Sequence, residues 1–339
     1  MKKLILHMAT ILTILSMSVF GSGNKHQIKE MPDLLNPEYF VLDDQQMYIV
    51  EGSTVSIYSL KDLTLKKKFG QKGEGPSEFI PDSQTDRPMF IDVQGKEIIV
   101  TSLGKVSIFS KTGDFIKELK MRTTPGKRFQ PLGSGYAAYI VRAEGKKLMR
   151  SIMLYDRDLN PIKPIIQLEH LWEAGKGLKV FREPTSFITS KNKLYVTWHA
   201  DFRVSVYDEN GVLLYHLKRP YERLNVSNSI KEAVIDYFKT HPKAKQFYEL
   251  VKPIKFPAKF PAIRQMRIAD DKIYLVTFKE ENQGFEYFIY QQDGKPLGSK
   301  IIYLEKINPL QTYPFYIKNN RLYQLVEKDE SWFLRISQL

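Results

Sequence analysis

The amino-acid sequence predicts an all-β protein, a six-bladed β-propeller of four-stranded antiparallel blades with a helical insertion between blades 4 and 5. Three observations predict this fold. One strand-rich unit recurs in six copies, the last of which lacks its fourth strand. A proline stands near the first strand of each copy, and the prolines are 51, 43, 53, 77 and 53 residues apart. Known propeller blades repeat every roughly 40–50 residues, so only the fourth interval needs an insertion.

The repeat unit is clearest at residues 184–217. Four short segments there are rich in β-branched and aromatic residues and are bounded by turn residues, which is typical of strands in a meander. They are 185–188, 193–198, 203–207 and 212–217. In every copy a proline precedes the expected first strand, where its missing N–H costs least. These prolines are Pro37, Pro88, Pro131, Pro184, Pro261 and Pro314, and the second-strand core residues are Tyr48, Ile99, Tyr139, Tyr195, Tyr274 and Tyr323.

The sixth copy ends in WFLRISQL and has no fourth strand of its own. An open ring would leave exposed strand edges, so another segment is needed to complete the last blade. Residues 26–31 precede the first copy and are expected to pair beside residues 332–337. The ring would then be closed by the two ends of the propeller.

The long interval between copies 4 and 5 contains the helical insertion, 226–251. Ser229 and Glu232 fit a capping box, and the apolar residues after them follow a helical period, which predicts a helix over 230–240. Pro242 then suits the first turn of a second short helix. Because the insertion enters at a single inter-blade connection, we expect a cap that controls access to the channel without stabilising the ring.

The N-terminus predicts export. Lys2 and Lys3 precede an apolar run over 4–20 and the small residues of 21–23, the pattern of a signal peptide over 1–23 followed by a propeller domain over 24–339. A periplasmic or secreted protein without a stable membrane span is expected. An uncleaved anchor is the alternative, since the run approaches the roughly 20 residues that span a bilayer. The sequence has no cysteine, which excludes lipid-modified cysteine, disulfides and thiolate chemistry.

The chain carries a formal net charge of +13, or +11 without Lys2 and Lys3. This charge favours anionic partners. With an export signal, we expect an anionic small molecule, an envelope polymer or another envelope protein instead of nucleic acid, and a monomeric chain. The inter-blade segments share one face of the predicted ring and hold 17 basic and 11 acidic residues. A solvated basic surface without a partner is the alternative.

The segment FGQKGEGPSEF at 69–79 contains three glycines but lacks a G-K-[ST] ending, and Pro76 and Pro81 interrupt any following helix. A tight inter-blade loop is therefore favoured over a phosphate loop. Together with the repeated KLYV and VYDENG patterns, this segment resembles the six-bladed propellers of secreted bacterial proteins related to NHL-repeat and TolB-like propellers. The resemblance covers nearly all of 24–339. It implies a fold and no particular activity, since this fold hosts lyases, lactonases and binding proteins.

Catalytic patterns are weak. The histidines of 24–339 do not occupy equivalent blade positions, and at the expected inner-strand starts only Asn36 and Glu183 could serve a metal lactonase. His199 with Asp201 could form an acid–base pair, but an ordinary loop explains both equally well. We therefore assign no catalytic residue, no metal ligand and no cofactor.

The sequence favours an exported, non-enzymatic binding module. Three arginines near the expected inner-strand starts, Arg87, Arg182 and Arg264, should line the channel mouth and accept an anionic ligand through charge-assisted hydrogen bonds. Glu183 and His199 complete the predicted ligand-binding set. An ordinary salt bridge is the alternative for each arginine. The alternative function is a metal-dependent, lactonase-like propeller hydrolase or lyase.

Overall fold

The computed structural model describes residues 26–80, 89–121, 126–145, 147–170, 172–173, 177–181, 186–198, 201–282 and 284–339. Six four-stranded antiparallel sheets in these residues form a β-propeller, which confirms the predicted fold. We number the blades 1 to 6 in chain order, and the strands of each blade from the channel outward. No helix in the described ranges is long and apolar enough to cross a membrane.

The strands of the six blades follow one another along the chain. Blade 1 consists of Tyr39–Leu42, Gln46–Glu51, Thr54–Ser59 and Leu65–Phe69; blade 2 of Phe90–Gln94, Glu97–Ser102, Lys105–Ser110 and Phe115–Lys120; blade 3 of Lys127–Leu132, Gly135–Glu144, Lys147–Tyr155 and Pro161–Glu169. Blade 4 consists of Phe187–Ser190, Lys193–Trp198, Arg203–Tyr207 and Leu213–Lys218; blade 5 of Gln265–Ala269, Lys272–Glu281, Gly284–Gln291 and Pro296–Ile302; blade 6 of Phe315–Lys318, Arg321–Lys328, Ser331–Gln338 and His26–Glu30.

The hydrophobic core lies between neighbouring blades. Second and third strands are buried on both faces and read as nearly continuous apolar runs, as in Glu97–Ser102 of blade 2. One core cluster joins Tyr48 and Phe69 of blade 1 to Ile98 and Phe109 of blade 2. Outer strands are rich in lysine and mostly exposed, as in Leu65–Phe69. Each blade is therefore stabilised by its two neighbours, which makes closure of the ring important.

The ring is closed as predicted. The strand His26–Glu30 pairs antiparallel with Ser331–Gln338, and His26 lies opposite Ser337. The Met31 amide then donates to the Trp332 carbonyl at 2.8 Å, and Trp332 Nε1 donates to the Leu35 carbonyl at 3.1 Å. Met31 and Trp332 are both buried in the core cluster of blades 1 and 6.

Two strand predictions need correction. The first strand of blade 4 was predicted over 185–188, whereas the inner strand Phe187–Ser190 continues to Ser190, and Thr185 lies outside the described residues. Pro131 was expected before a strand but lies within the inner strand Lys127–Leu132. An inner strand forms hydrogen bonds with one neighbouring strand only. Proline has no N–H, so it removes no hydrogen bond of the sheet where its nitrogen faces the channel. Pro88 and Pro184 lie outside the described residues.

The insertion contains three helices: α1 (Asn228–Thr240), α2 (Pro242–Lys245) and α3 (Tyr248–Val251). Its first N-cap is Ser227, whose Oγ accepts from the Ile230 amide at 3.3 Å, so the predicted capping box at Ser229 was wrong by two residues. Ser227 has the extended backbone that a cap requires, while Ser229 is already helical. The predicted second helix is split into α2 and α3. Val234 is the fully buried residue of α1.

A small three-stranded sheet fixes the segment that follows the insertion. Ile254–Lys255 pairs parallel with Gly177–Lys179, which pairs antiparallel with Trp172–Glu173. At the base of the insertion, the Val226 amide donates to the Ala258 carbonyl at 3.0 Å. The two ends of the insertion are thus hydrogen-bonded to each other, and the segment after it is also paired with the connection between blades 3 and 4.

Candidate ligand site beneath the helical insertion

Of the five predicted ligand-binding residues, Arg264 lies in the described part of the chain, and Arg87, Arg182, Glu183 and His199 lie outside it. Arg264 directly precedes the inner strand of blade 5. Its backbone amide donates to the Val276 carbonyl at 2.8 Å, which fixes its position at the start of that strand. The meander topology places inner-strand starts, inter-blade segments and the insertion on one face of the ring.

The guanidinium of Arg264 is enclosed by aromatic rings. Its central carbon lies 4.5 Å from the ring centre of Phe285 and 5.3 Å from that of Phe278. Nη2 is buried and has no hydrogen-bond partner among the described residues. Burial lowers the pKa of Arg264 to about 10, an effect that the charge of Glu280 opposes, so the group stays cationic at neutral pH. A buried donor without a partner is rare in native proteins and marks a position where a ligand atom or water is needed.

A cavity of about 380 Å³ lies beside Arg264, between the start of α1 and blade 5. We call it the cap pocket. Its volume falls within the roughly 300–1,000 Å³ range of small-molecule sites. Residues of α1, of blade 5 and of three inter-blade segments line it: Phe181, Ser229, Ile230, Ala233, Phe260, Arg264, Phe278, Glu280, Lys306 and Pro309.

Three phenylalanines form the apolar wall of the cap pocket. The rings of Phe260 and Phe278 are stacked at 4.6 Å with an angle of 16° between their planes, and Phe181 meets Phe260 edge-on at 4.9 Å. Phe181 has a φ of 51°, a left-handed conformation that a bulky residue adopts only where its surroundings impose it. The chain therefore holds a strained backbone position that places an aromatic ring in this wall.

The charges of the cap pocket leave a surplus cation. Lys306 Nζ lies 2.6 and 2.8 Å from the two carboxylate oxygens of Glu280, so these two residues neutralise one another. Within the described ranges, Nη2 of Arg264 has no such close partner. The site combines aromatic faces with one directed cationic donor, a combination suited to an anion with a flat apolar body.

The central channel is a second, smaller cavity of about 110 Å³, lined by the inner strands of all six blades. Three charged residues that the sequence analysis missed face it: Asp92, Arg128 and Arg267. Arg128 stacks between Phe90 at 5.8 Å and Phe187 at 5.2 Å, and it has a φ of 57° where the inner strand of blade 3 bulges. The clue available in the sequence was that Asp92 and Arg267 follow the prolines of copies 2 and 5, where inner strands were expected. Arg128 precedes Pro131 and stood in a segment expected to connect two blades, so no such clue existed for it.

Asp92 has an unusual electrostatic environment. Burial raises the pKa of Asp92 to about 6, although the hydrogen bond from Gln94 Nε2 at 2.9 Å and the charge of Arg128 act in the opposite direction. Gln94 also donates to Thr189 Oγ1 at 3.1 Å, and the Thr189 amide donates to Gln130 Oε1 at 2.8 Å. These contacts join blades 2, 3 and 4 across the channel. Side chains of three blades are thus hydrogen-bonded to one another at the channel.

The other motifs of the sequence have structural roles. In the glycine-rich loop, Glu78 accepts from the Gly75 amide at 2.9 Å and from Gln71 at 2.8 Å, so the loop is closed by its own carboxylate. Asp201, which could have paired with His199, lies 3.6 Å from Arg203, and His199 lies outside the described residues. Within the described ranges, no group of three or more His, Cys, Asp or Glu side chains is placed to hold a metal ion.

No family model and no curated protein matches the sequence. Solved structures do match the fold. BF0058, a predicted exported protein of Bacteroides fragilis, aligns over 94% of this chain and 97% of its own with a TM-score of 0.52 and 11% identity. A DUF4221 family member from Bacteroides vulgatus aligns over 93% and 96%, also with a TM-score of 0.52 and 11% identity. At this identity the likeness shows the propeller fold, and the resemblance to NHL-repeat and TolB-like propellers stays a prediction.

Proposed function

We propose that this protein is an exported, non-enzymatic binding propeller that takes an organic anion with a flat apolar body into the cap pocket. The observation that carries the proposal is the buried Nη2 of Arg264, which has no partner in the described part of the chain and lies beside an aromatic cavity. The signal-like pattern of residues 1–23 supports export. The description of the similar Bacteroides fragilis protein as exported agrees with it.

Binding would use groups that folding has already arranged. A carboxylate or sulfonate of the ligand would accept a hydrogen bond from Arg264 Nη2, which is charge-assisted and therefore among the stronger kinds. Its apolar body would lie against Phe260, Phe278 and Phe181. The guanidinium is already desolvated in the folded protein. A ligand therefore gains the interaction without the full desolvation penalty of that group, which is the advantage of preorganisation.

The lining of the cap pocket supports binding more than catalysis. Its polar groups are one hydroxyl, one carboxylate and two cations, and the carboxylate is already paired with Lys306. Nucleophilic catalysis requires a nucleophile next to a general base. Among the described lining residues the one hydroxyl, that of Ser229, lies 2.9 Å from Ser227 Oγ, and there is no histidine or cysteine to complete such a pair.

A thermal-shift comparison tests this function. Phenylacetate, indole-3-acetate and benzenesulfonate should each raise the melting temperature, whereas neutral phenylacetamide should not. Arg264→Met should abolish the shift. Arg219→Met is the matched control, because Arg219 also stacks on an aromatic ring, Phe288 at 3.8 Å, but outside the cap pocket. An equal shift with phenylacetamide, or an undiminished shift in Arg264→Met, would exclude the proposed site.

A further inference from the structure

The outer surface of the insertion exposes two large apolar side chains, Phe247 and Leu250, which are 50% and 58% exposed. The Leu250 amide donates to the Phe247 carbonyl at 3.1 Å, and the Val251 amide donates to the same carbonyl at 3.0 Å. These bonds hold Phe247 and Leu250 within one helical turn, where residues three apart lie on the same side. They form a small apolar projection, which we call the cap wedge.

The cap wedge lies in the most basic stretch of the insertion. Residues 239–259 contain six lysines and a single acid, Glu249. Lys245, Lys255 and Lys259 are exposed, and Lys252 keeps 49% of its side chain exposed although it lies 2.5 Å from Glu249. Exposed ammonium groups thus flank the two apolar side chains along the chain.

The platform behind the cap wedge is fixed. Ile254–Lys255 pairs with Gly177–Lys179, and Arg223 Nε donates to the Phe260 carbonyl at 2.7 Å across the base of the insertion. Phe247 and Leu250 are therefore presented outward from an anchored segment. Contact of these two apolar side chains with water is unfavourable, so burying them in an apolar phase would lower the free energy.

We propose that the cap wedge docks on the surface of an anionic lipid bilayer, with Phe247 and Leu250 entering the interface and the lysines contacting the headgroups. Apolar side chains beside lysines on a polar segment are typical of interfacial anchors. The cores of protein–protein interfaces are depleted in lysine and need a larger apolar patch than two side chains. Charge complementarity therefore favours the anionic bilayer. This docking is independent of the ligand proposed for the cap pocket.

Vesicle co-sedimentation of the purified protein tests the docking. Binding should require phosphatidylglycerol in phosphatidylcholine vesicles and should weaken with added salt. Phe247→Ala with Leu250→Ala should reduce the partition coefficient about tenfold, since each loses apolar area that would otherwise be buried. Lys245→Gln and Lys255→Gln should each reduce it about fivefold, the factor that corresponds to about 1 kcal/mol per lysine.

The matched control is Ile162→Ala with Leu214→Ala, which removes two similarly exposed apolar side chains from the opposite face. Ile162 and Leu214 are 62% and 47% exposed and lie in the outer strands of blades 3 and 4. This variant should bind vesicles like the wild type, and all variants should keep the wild-type melting temperature. A Phe247→Trp variant should show quenching by brominated lipid. Equal binding to neutral vesicles, no binding to anionic vesicles, an unchanged partition of the Phe247 and Leu250 variant, or an equal loss in the control would overturn the proposal.

Discussion

The guanidinium carbon of Arg264 lies 4.5 Å from the ring centre of Phe285, and its buried Nη2 meets no acceptor among the described residues. A buried cation of this kind lowers the stability of the fold, because no close ion pair among the described residues compensates for its desolvation. The same arrangement favours binding of an anionic ligand, since the donor is already oriented and desolvated.

Replacing the buried cation should not weaken the fold. We expect Arg264→Met to keep the free energy of unfolding within about 1 kcal/mol of the wild type or to raise it, because an unpaired buried charge is removed while an apolar chain still fills the space. Denaturant unfolding measures this directly. A loss of about 3 kcal/mol or more would mean that Arg264 is a structural residue of blade 5.

Closure of the ring should depend on the hydrogen bonds of the N-terminal strand. The Met31 amide donates to the Trp332 carbonyl, and Lys29, two residues earlier, lies opposite Leu334 in the same register. Because successive amides of an antiparallel strand point in opposite directions, the Lys29 amide points towards the neighbouring strand Ser331–Gln338 and the Ile28 amide points away from the sheet. Lys29→Pro should therefore lower the free energy of unfolding by about 1–3 kcal/mol. Ile28→Pro is the matched control and should cost clearly less. Equal effects in denaturant unfolding would show that this strand does not hold blade 6.

Stability should depend on pH through Asp92. Its pKa is about 6 in the folded protein against an ordinary 3.8, so the folded state binds the proton more tightly than the unfolded state does. The resulting stability is fully present below about pH 4 and is lost as the pH rises through about 6. Relative to Asp92→Asn, the wild type should lose up to about 3 kcal/mol between these limits. Parallel pH profiles of the two proteins in denaturant unfolding would contradict the assignment.

The insertion should serve the pocket more than the ring. Ala233 lines the cap pocket from α1 and is itself exposed, so Ala233→Trp should fill the cavity and block aromatic anions with little change in melting temperature. Glu232→Trp places the same ring on the neighbouring exposed position outside the lining and should leave binding intact. A Gly/Ser replacement of 226–251 should keep cooperative unfolding and lose binding. Loss of folding in that replacement would instead make the segment part of the core.

The repeat pattern predicted most of the fold, because each blade carries its own local signals. The turn at Gly211 and the apolar second strand around Tyr195 are set by neighbours in sequence, and even ring closure followed from the missing fourth strand of copy 6. Local signals were less certain where two candidates compete, as Ser227 and Ser229 do for the cap of α1. Pro131 was misplaced because the sequence does not show which strand edge faces the channel.

The cap pocket could be predicted only in part. Arg264 was chosen because it stands near an inner-strand start, but its partners come from separate parts of the chain. Phe181 lies between blades 3 and 4, Phe260 follows the insertion, and Lys306 lies between blades 5 and 6. Such a wall forms by the packing of distant segments, and no periodicity within any one segment reveals it. The strained φ of Phe181 was likewise invisible in the sequence.

The most direct test of the account is a crystal of the wild-type protein soaked in 4-bromophenylacetate, in which the anomalous signal of bromine locates the ligand. We expect the bromine-bearing ring beside Phe260 and Phe278, with the carboxylate on Nη2 of Arg264. Bromine density in the central channel beside Asp92, or no ordered bromine while the cap pocket remains open to solvent, would contradict the claim that Arg264 and its aromatic wall form the ligand site.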